Sequence, residues 1–361
     1  MKPVLCNYYV TYRCNAACGF CDIWQQPSQL ISLEDAERNL DDLRRLGVRV
    51  IDFTGGEPLL HPKIGDLLTM AKERGFLTTV TSNGLLYPKR AKKLQGRVDL
   101  LHFSIDSPVP HEHNASRGVK CFSKLMESVE VALDLGERPD LLFTVTNENV
   151  HHLERIYETI SRPNGLILIL NPLFEYNTLG EELADEVMER MAALAKQPYA
   201  YLNPAFLTLR RRGGNDPAAP VCKAVSTCVV ISPFNELVLP CYHAGMEKLP
   251  IKGQLYDLWH GERVAWHRET EGRHAVCRGC TINCYFEPSF AVSPGSGYFW
   301  ESLPSKARYS WTKFVVQRLN ARLGPRAANL PDFEEVPLPS PIASGDGAAS
   351  SPELIELPVL R

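Results

Sequence analysis

Over residues 1–200, short apolar runs alternate with stretches whose apolar residues recur every three or four positions. Val4 to Val10 is apolar and β-branched at its ends and reads as a first strand. Ser32-Leu33-Glu34-Asp35 has the form of a capping box. Leu33, Ala36, Leu40, Leu43 and Leu46 follow at helical spacing, and Gly47 stands where a left-handed residue closes a helix. Val48 to Thr54 is the next strand, and a helix opened by Pro62 ends at Gly75. Leu77 to Ser82, Leu100 to Ile105, Leu141 to Thr146 and Leu166 to Leu170 give four more strands. The intervening helices run over Pro88 to Gln95, Phe122 to Leu135 and Val150 to Ile160, and Glu181 to Ala195 follows the last strand. Units of about 25 to 35 residues, each strand then helix, require right-handed crossovers and a parallel sheet. Six units do not fill an eight-stranded barrel, so an open, partial barrel is expected, with a doubly wound sheet as the alternative. Both folds collect chemistry at the C-terminal ends of the strands.

Beyond residue 200 the pattern changes. Arg210 to Pro220 reads as a linker or exposed loop. Cys222 to Pro288 has short elements and many cysteines, the sign of a small α+β domain held by metal. Within it, Val229 to Cys241 reads as a hairpin turning at Asn235. Ser305 to Leu323 is an amphipathic helix, with Phe314, Val315, Leu319 and Leu323 on one side and Lys306, Lys313, Arg318 and Arg322 elsewhere. Pro331 to Arg361 turns to Pro, Ser, Ala, Gly and Glu and reads as a disordered tail.

Composition narrows the class. With 44% hydrophobic and 22% charged residues in 361, the chain is not wholly disordered. The formal net charge of −3 supplies no positive field for nucleic acid. No apolar run reaches the roughly 18 residues that cross a bilayer, and the start lacks a signal-peptide core, so a cytoplasmic location is expected. Eleven cysteines are then the anomaly. Nine fall in two groups, at 14–21 and 222–284, and such clusters in a reducing compartment favour metal over disulfides.

The first group, Cys14-Asn15-Ala16-Ala17-Cys18-Gly19-Phe20-Cys21, has C-x3-C-x2-C spacing on the loop leaving the first strand. Three thiolates can hold three irons of a 4Fe–4S cluster and leave the fourth open to a ligand. A zinc knuckle completed from a distance is the alternative. Thr54-Gly55-Gly56-Glu57-Pro58 follows the second strand. Its paired glycines let a ligand approach the backbone, its Glu can accept from an ammonium group, and its Pro fixes the exit.

Together the two motifs resemble the radical S-adenosylmethionine (SAM) family over roughly residues 4 to 175. The resemblance implies a partial (β/α)6 barrel in which SAM chelates the open iron and is reductively cleaved to methionine and a 5′-deoxyadenosyl radical that abstracts hydrogen from substrate. By position it implies Cys14, Cys18 and Cys21 as cluster ligands. It places Phe20 near the adenine and Gly55, Gly56, Glu57 and Pro58 at the methionine amino group, with Ser104 as a SAM contact. Asn83 faces the same mouth, and Arg117 is expected to pair with the methionine carboxylate. A turn-forming role for Asn83 and a solvated loop position for Arg117 are the alternatives.

In the second group, eighteen residues separate Cys222 from Cys241, and thirty-five more precede Cys277-Arg278-Gly279-Cys280. The hairpin would bring Cys222 and Cys241 to one end, where the Cys-x2-Cys turn completes four thiolates. This layout resembles the twitch domain, a shortened relative of the SPASM domain, and implies an auxiliary 4Fe–4S cluster; structural zinc is the alternative. The family turn usually carries Gly where Asn235-Glu236 stands. Cys228 and Cys284 are surplus and either can displace one of the four. Cys6 and Cys121 read as buried core thiols, and His61 as a turn residue.

The expected organisation is a radical SAM core over 1–200, an auxiliary-cluster domain over 201–290, a C-terminal amphipathic region over 291–330 and the tail over 331–361. The expected activity is hydrogen abstraction with oxidative outcome from a small molecule, cofactor precursor or lipid-like substrate. That preference rests on the dozen or so residues before Cys14, too few for a leader-binding module. Peptide maturation is the alternative, and a non-catalytic iron–sulfur or zinc scaffold the alternative of another class. A low-potential electron donor such as flavodoxin or ferredoxin is the expected partner. Tyr298-Phe299-Trp300 and the basic helix after it are expected to pack on their own domain rather than on a membrane.

Overall fold

The computed structural model describes residues 2–174, 182–322 and 327–333. Strands β1 (Leu5–Thr11), β2 (Val50–Gly55), β3 (Leu77–Ser82), β4 (Leu100–Ser104), β5 (Asp140–Val145) and β6 (Leu168–Pro172) stand side by side in chain order, all parallel. A doubly wound sheet reverses its strand order part-way; this one does not, so its crossovers keep turning one way and curl it into a partial barrel wall. Short β7 (Ala200–Tyr201) extends the wall beside β6. On the other side β8 (Cys228–Ile231) pairs parallel with β1. It continues antiparallel into β9 (Glu236–Leu239) and β10 (Glu247–Pro250). The cysteine-rich region is thus continuous with the barrel sheet.

Helix α1 (Leu33–Leu46) follows its sequence signals. Ser32 Oγ accepts from the Asp35 N–H, Gly47 ends the helix at φ 94°, and Leu40 and Leu43 are fully buried. Each such leucine contributes about 2 kcal/mol by leaving water. Helices α2 (Ile64–Glu73), α3 (Tyr87–Leu94), α4 (Pro110–Arg117) and α5 (Phe122–Asp134) complete the outer layer around β2 to β5. Sequence periodicity missed α4, whose eight residues carry no apolar stripe, only a Pro at the start and a left-handed Gly118 at the end. Ile51, Phe53, Val80, Phe103 and Phe143 point at these helices and are fully buried. The alternate positions make the barrel interior polar. Thr79 bonds Asp52, Thr81 Oγ1 lies 3.2 Å from His102 Nδ1, and His102 Nε2 lies 3.6 Å from Asp140.

The C-terminal helix Gly297–Trp311 and its continuation Thr312–Val316 lie against the N-terminal ends of β5 to β7. Lys313 was expected off the apolar side; it is buried, with Nζ 2.8 Å from Asp140 Oδ1, while Tyr309 donates to Oδ2 at 2.6 Å. Leu319, expected on the packed side, is 55% exposed. An ammonium that neutralises a fully buried carboxylate outweighs the apolar stripe that periodicity favours. Leu323 and the tail from residue 334 lie outside the described residues. No helix among the described residues is long and apolar enough to cross a membrane.

Candidate functional site

The cysteine loop leaves β1 at the C-terminal mouth of the barrel, where backbone contacts fix it. The N–H groups of Gly56 and Glu57 donate to the Thr11 and Arg13 carbonyls at 3.0 and 2.8 Å, and that of Ala17 donates to the Arg117 carbonyl at 3.0 Å. A Cβ on Gly55 would lie 1.9 Å from the Thr11 oxygen, and one on Gly56 2.3 Å from the Arg13 oxygen. The paired glycines thus admit the cysteine loop's own backbone, a requirement that precedes any ligand. Glu57 likewise faces inward. Its buried carboxylate accepts from the Leu59 and Asn83 N–H groups and the Ser82 hydroxyl, and burial pushes its pKa up to about 7. It straps the end of β2 to the end of β3, and Pro58 is buried beside it. Ser104 closes β4, buried at the same mouth.

Asn83 donates from Nδ2 to Asn15 Oδ1 at 2.8 Å and reaches Cys14 Sγ at 3.9 Å. Arg117, at the end of α4, is buried. Its Nη2 donates to Asp106 Oδ1 at 2.8 Å, its Nε stands 2.6 Å from Oδ2, and its Nη1 donates to Cys18 Sγ at 3.8 Å. The Phe20 ring lies 5.4 Å from the guanidinium carbon. Sequence reasoning gave Asp106 no role; here it holds Arg117, and Ser116 Oγ also donates to it at 3.0 Å. A buried Asp two residues past Ser104, with an Arg eleven further on, was the available signal. Burial pushes the Cys14 thiol up to about 12 and Cys21 to about 11, and the neighbouring Cys18 raises both further.

The second group also assembles. Cys222, Cys241, Cys277 and Cys280 are all half-buried. Burial raises each thiol, Cys241 further by Cys280 and Cys277, and Cys222 further by Cys241 and Cys280. Surplus Cys228 is buried and senses Cys284 before Cys241, and Cys284 senses Asp52. Cys6 and Cys121 are buried in the core, and His61 is buried with Nε2 at 2.9 Å from the Ile31 carbonyl.

The segment expected as an exposed loop at 210–220 is what joins the second group. Asn215 is buried. Its Nδ2 donates to the Gly272 and Cys277 carbonyls, Oδ1 accepts from Val221 and Cys222, and its backbone exchanges bonds with Gly279 and Cys280. A Cβ on Gly214 would fall 2.2 Å from the Gly279 oxygen. Polarity misread this stretch, because a buried asparagine that satisfies backbone groups looks in sequence like a loop residue.

Aromatic side chains separate the two groups. Tyr242 stacks on Tyr9 at 4.5 Å and meets Tyr12 edge-on at 5.7 Å. Tyr12, Phe20, Asp22 and Tyr242, with Cys241 and Cys280, border one cavity of about 1500 Å³. Arg210, Arg211, Lys248 and Arg278 bring positive charge to its wall, and Asp185 and Glu189 negative charge. Among the described residues no three His, Cys, Asp or Glu side chains close around a single metal ion. The donor set suits a cluster better. Thiolates around a cubane stand farther apart than around one ion, the first loop supplies three, and cationic and amide N–H groups face its sulfurs where an anionic cluster is stabilised.

Residues 8–160 match the model of the Radical SAM superfamily. The AdoMet-dependent heme synthase of Nitratidesulfovibrio vulgaris is 29% identical over 165 residues, 44% of this chain and 45% of that protein. The antilisterial bacteriocin subtilosin biosynthesis protein AlbA of Bacillus subtilis is 24% identical over 311 residues, 79% of this chain and 68% of that protein. Among solved structures, Streptococcus suis SuiB bound to S-adenosylmethionine shares the fold with TM-score 0.61 at 17% identity, over 73% of this chain and 67% of that one. Native anSMEcpe with bound AdoMet shares it with TM-score 0.59 at 15% identity, over 89% of this chain and all of that one. The chain spans under half the length of the heme synthase.

Proposed function

We propose that this chain, whose residues 8–160 form a Radical SAM superfamily domain, is an enzyme that abstracts a hydrogen atom from a bulky polar substrate, a peptide segment, held between its two cysteine groups. The observation that carries the reading is the cavity itself, which borders Phe20 of the first loop and Cys241 and Cys280 of the second group. Its volume of about 1500 Å³ leaves room for a peptide segment beside the groups that the cysteines would hold, and charges of both signs line it. A lipid-like substrate does not fit such a wall. The match to AlbA, named for bacteriocin biosynthesis, extends along 79% of this chain, past the barrel domain into the cysteine-rich region. The match to the heme synthase covers 44% of the chain and speaks for shared chemistry rather than a shared substrate.

When bound, a 4Fe–4S cluster with SAM would supply the hydrogen-abstracting radical. Cys14, Cys18 and Cys21 would hold that cluster, and no fourth cysteine stands on their loop. Gly55, Gly56, Glu57 and Pro58 hold the loop's backbone, so their support of SAM is through that backbone and not through the Glu57 carboxylate. Ser104 would reach SAM from the β4 mouth. Cys222, Cys241, Cys277 and Cys280, within residues 201–290, would hold an auxiliary cluster closed to substrate, which suits electron uptake and an oxidative outcome. The Tyr9–Tyr12–Tyr242 cluster keeps water from the space between.

The test is anaerobic reconstitution followed by reduction with SAM present. About eight irons per chain and release of 5′-deoxyadenosine are expected, and zinc without iron would leave the scaffold reading in its place. Adding the peptide fraction of a cell extract should stimulate 5′-deoxyadenosine release, and protease digestion of that fraction should remove the stimulation. Stimulation that survives digestion would return the assignment to a small molecule.

A further inference from the structure

The donors around the first cysteine loop are arranged unequally, and one of them is a buried cation. Arg117 offers Nη1 to Cys18 Sγ at 3.8 Å, while Nη2 donates to Asp106 Oδ1 at 2.8 Å and Nε stands 2.6 Å from Oδ2 in the ion pair. The two side chains are 8% and 3% exposed. Asp106 is in turn fixed by Ser116 Oγ at 3.0 Å, and the Arg117 carbonyl holds the Ala17 N–H. Among the described residues Cys14 is met by the neutral Asn83 amide at 3.9 Å and by the Ala16 backbone N–H, with the Glu57 carboxyl nearby and no cation. A guanidinium whose other nitrogens are locked on a carboxylate is poorly placed to clamp the carboxylate of a ligand. It is well placed to act on a sulfur.

We propose that Arg117, positioned by Asp106, raises the reduction potential of the cluster that Cys14, Cys18 and Cys21 carry, and that Asn83 does so more weakly. The inference rests on the reading of that loop as a cluster site. Reduction adds one electron to an already anionic cluster, and N–H donors and positive charge at the sulfurs stabilise the reduced form. In a buried setting this interaction is screened far less than in water. Asp106 orients the guanidinium while its own charge offsets part of the field, and an asparagine at 106 keeps an oxygen that accepts from Nη2 but drops the charge. Removing Arg117 therefore lowers the potential, and neutralising Asp106 raises it.

The experiment is a redox titration of the reconstituted protein without SAM, followed by electron paramagnetic resonance, with iron content as control. R117M should move the midpoint negative, N83S should move it negative by less, and D106N should move it positive, all at wild-type iron content. If R117M takes up no iron, R117K, which keeps the charge and loses the fork, should move the midpoint negative by less than N83S and D106N should still move it positive, no shift in either overturning the proposal. An unmoved midpoint, or R117M and D106N shifting the same way, would overturn the proposal. So would an unmoved midpoint with weakened SAM binding in R117M, which would make Arg117 a ligand anchor. If wild-type protein holds no iron at positions 14–21, the cluster reading fails instead, and the two failures are distinguishable.

Discussion

The two cysteine groups differ in how far the chain travels to build them. Cys14, Cys18 and Cys21 lie within eight residues on the exit of one parallel strand, so fixing β1 against β2 fixes all three. Cys222, Cys241 and the Cys277–Cys280 turn come from three segments, and Asn215 ties the first of them to the last through backbone bonds. Around the first group, polar side chains reach the sulfurs of Cys14 and Cys18; around Cys222, Cys277 and Cys280, the Asn215 side chain and backbone reach the main chain. An incomplete set of thiols facing a cation and an amide suits a centre that exchanges a ligand. A complete set held by its backbone suits a centre that stays unchanged while it passes electrons.

The strongest test of this contrast is to remove one thiol from each group. Cys18→Ala should abolish 5′-deoxyadenosine formation and lose about half the iron. Cys241→Ala should lose a similar share of iron yet keep uncoupled SAM cleavage. Equal loss of cleavage in both variants would erase the distinction.

A second pair probes the backbone. Gly56→Ala and Gly214→Ala each drive a Cβ into a carbonyl, at 2.3 and 2.2 Å, and should cost about 2–4 kcal/mol or prevent folding of the local loop. Gly19→Ala, with nothing within 4 Å, should leave thermal stability unchanged. Thermal unfolding with limited proteolysis reads the difference.

Asn215→Ala strands two carbonyls and two N–H groups and should cost about 1–3 kcal/mol. It should release iron from the second group only, so iron content and SAM cleavage would part company.

The smallest effect concerns Asp52, in the lumen that both regions border. Burial raises its pKa from 3.8 to about 6, although Thr79 donates to it. A carboxyl raised on folding stabilises the folded state while protonated, so stability should fall as pH rises from about 4 through about 6 and level off above that. Asp52→Asn should flatten that slope in thermal melts followed across the same window.

How much of this was legible in the sequence follows the same divide. The six barrel strands, the capped α1 and the first cysteine loop were readable because strand periodicity, capping and C-x3-C-x2-C spacing are local. The glycine pair was visible, but its immediate reason was not, because it lies in the Thr11–Arg13 carbonyls across a parallel ladder. Arg117 could be marked only as a candidate, since its partner Asp106 sits eleven residues earlier on another element. Asn215 and Lys313 were misplaced for one reason: polar residues that satisfy buried groups carry the same letters as solvated ones. The Tyr9–Tyr242 stack joins residues more than two hundred positions apart and left no local pattern to read.

The most direct measurement is electron paramagnetic resonance of the anaerobically reconstituted, dithionite-reduced protein before and after SAM is added. The account predicts a [4Fe–4S]+ signal that changes shape as SAM coordinates the iron left open by Cys14, Cys18 and Cys21. Cys18→Ala should lack that component. A reduced signal identical with and without SAM would contradict it.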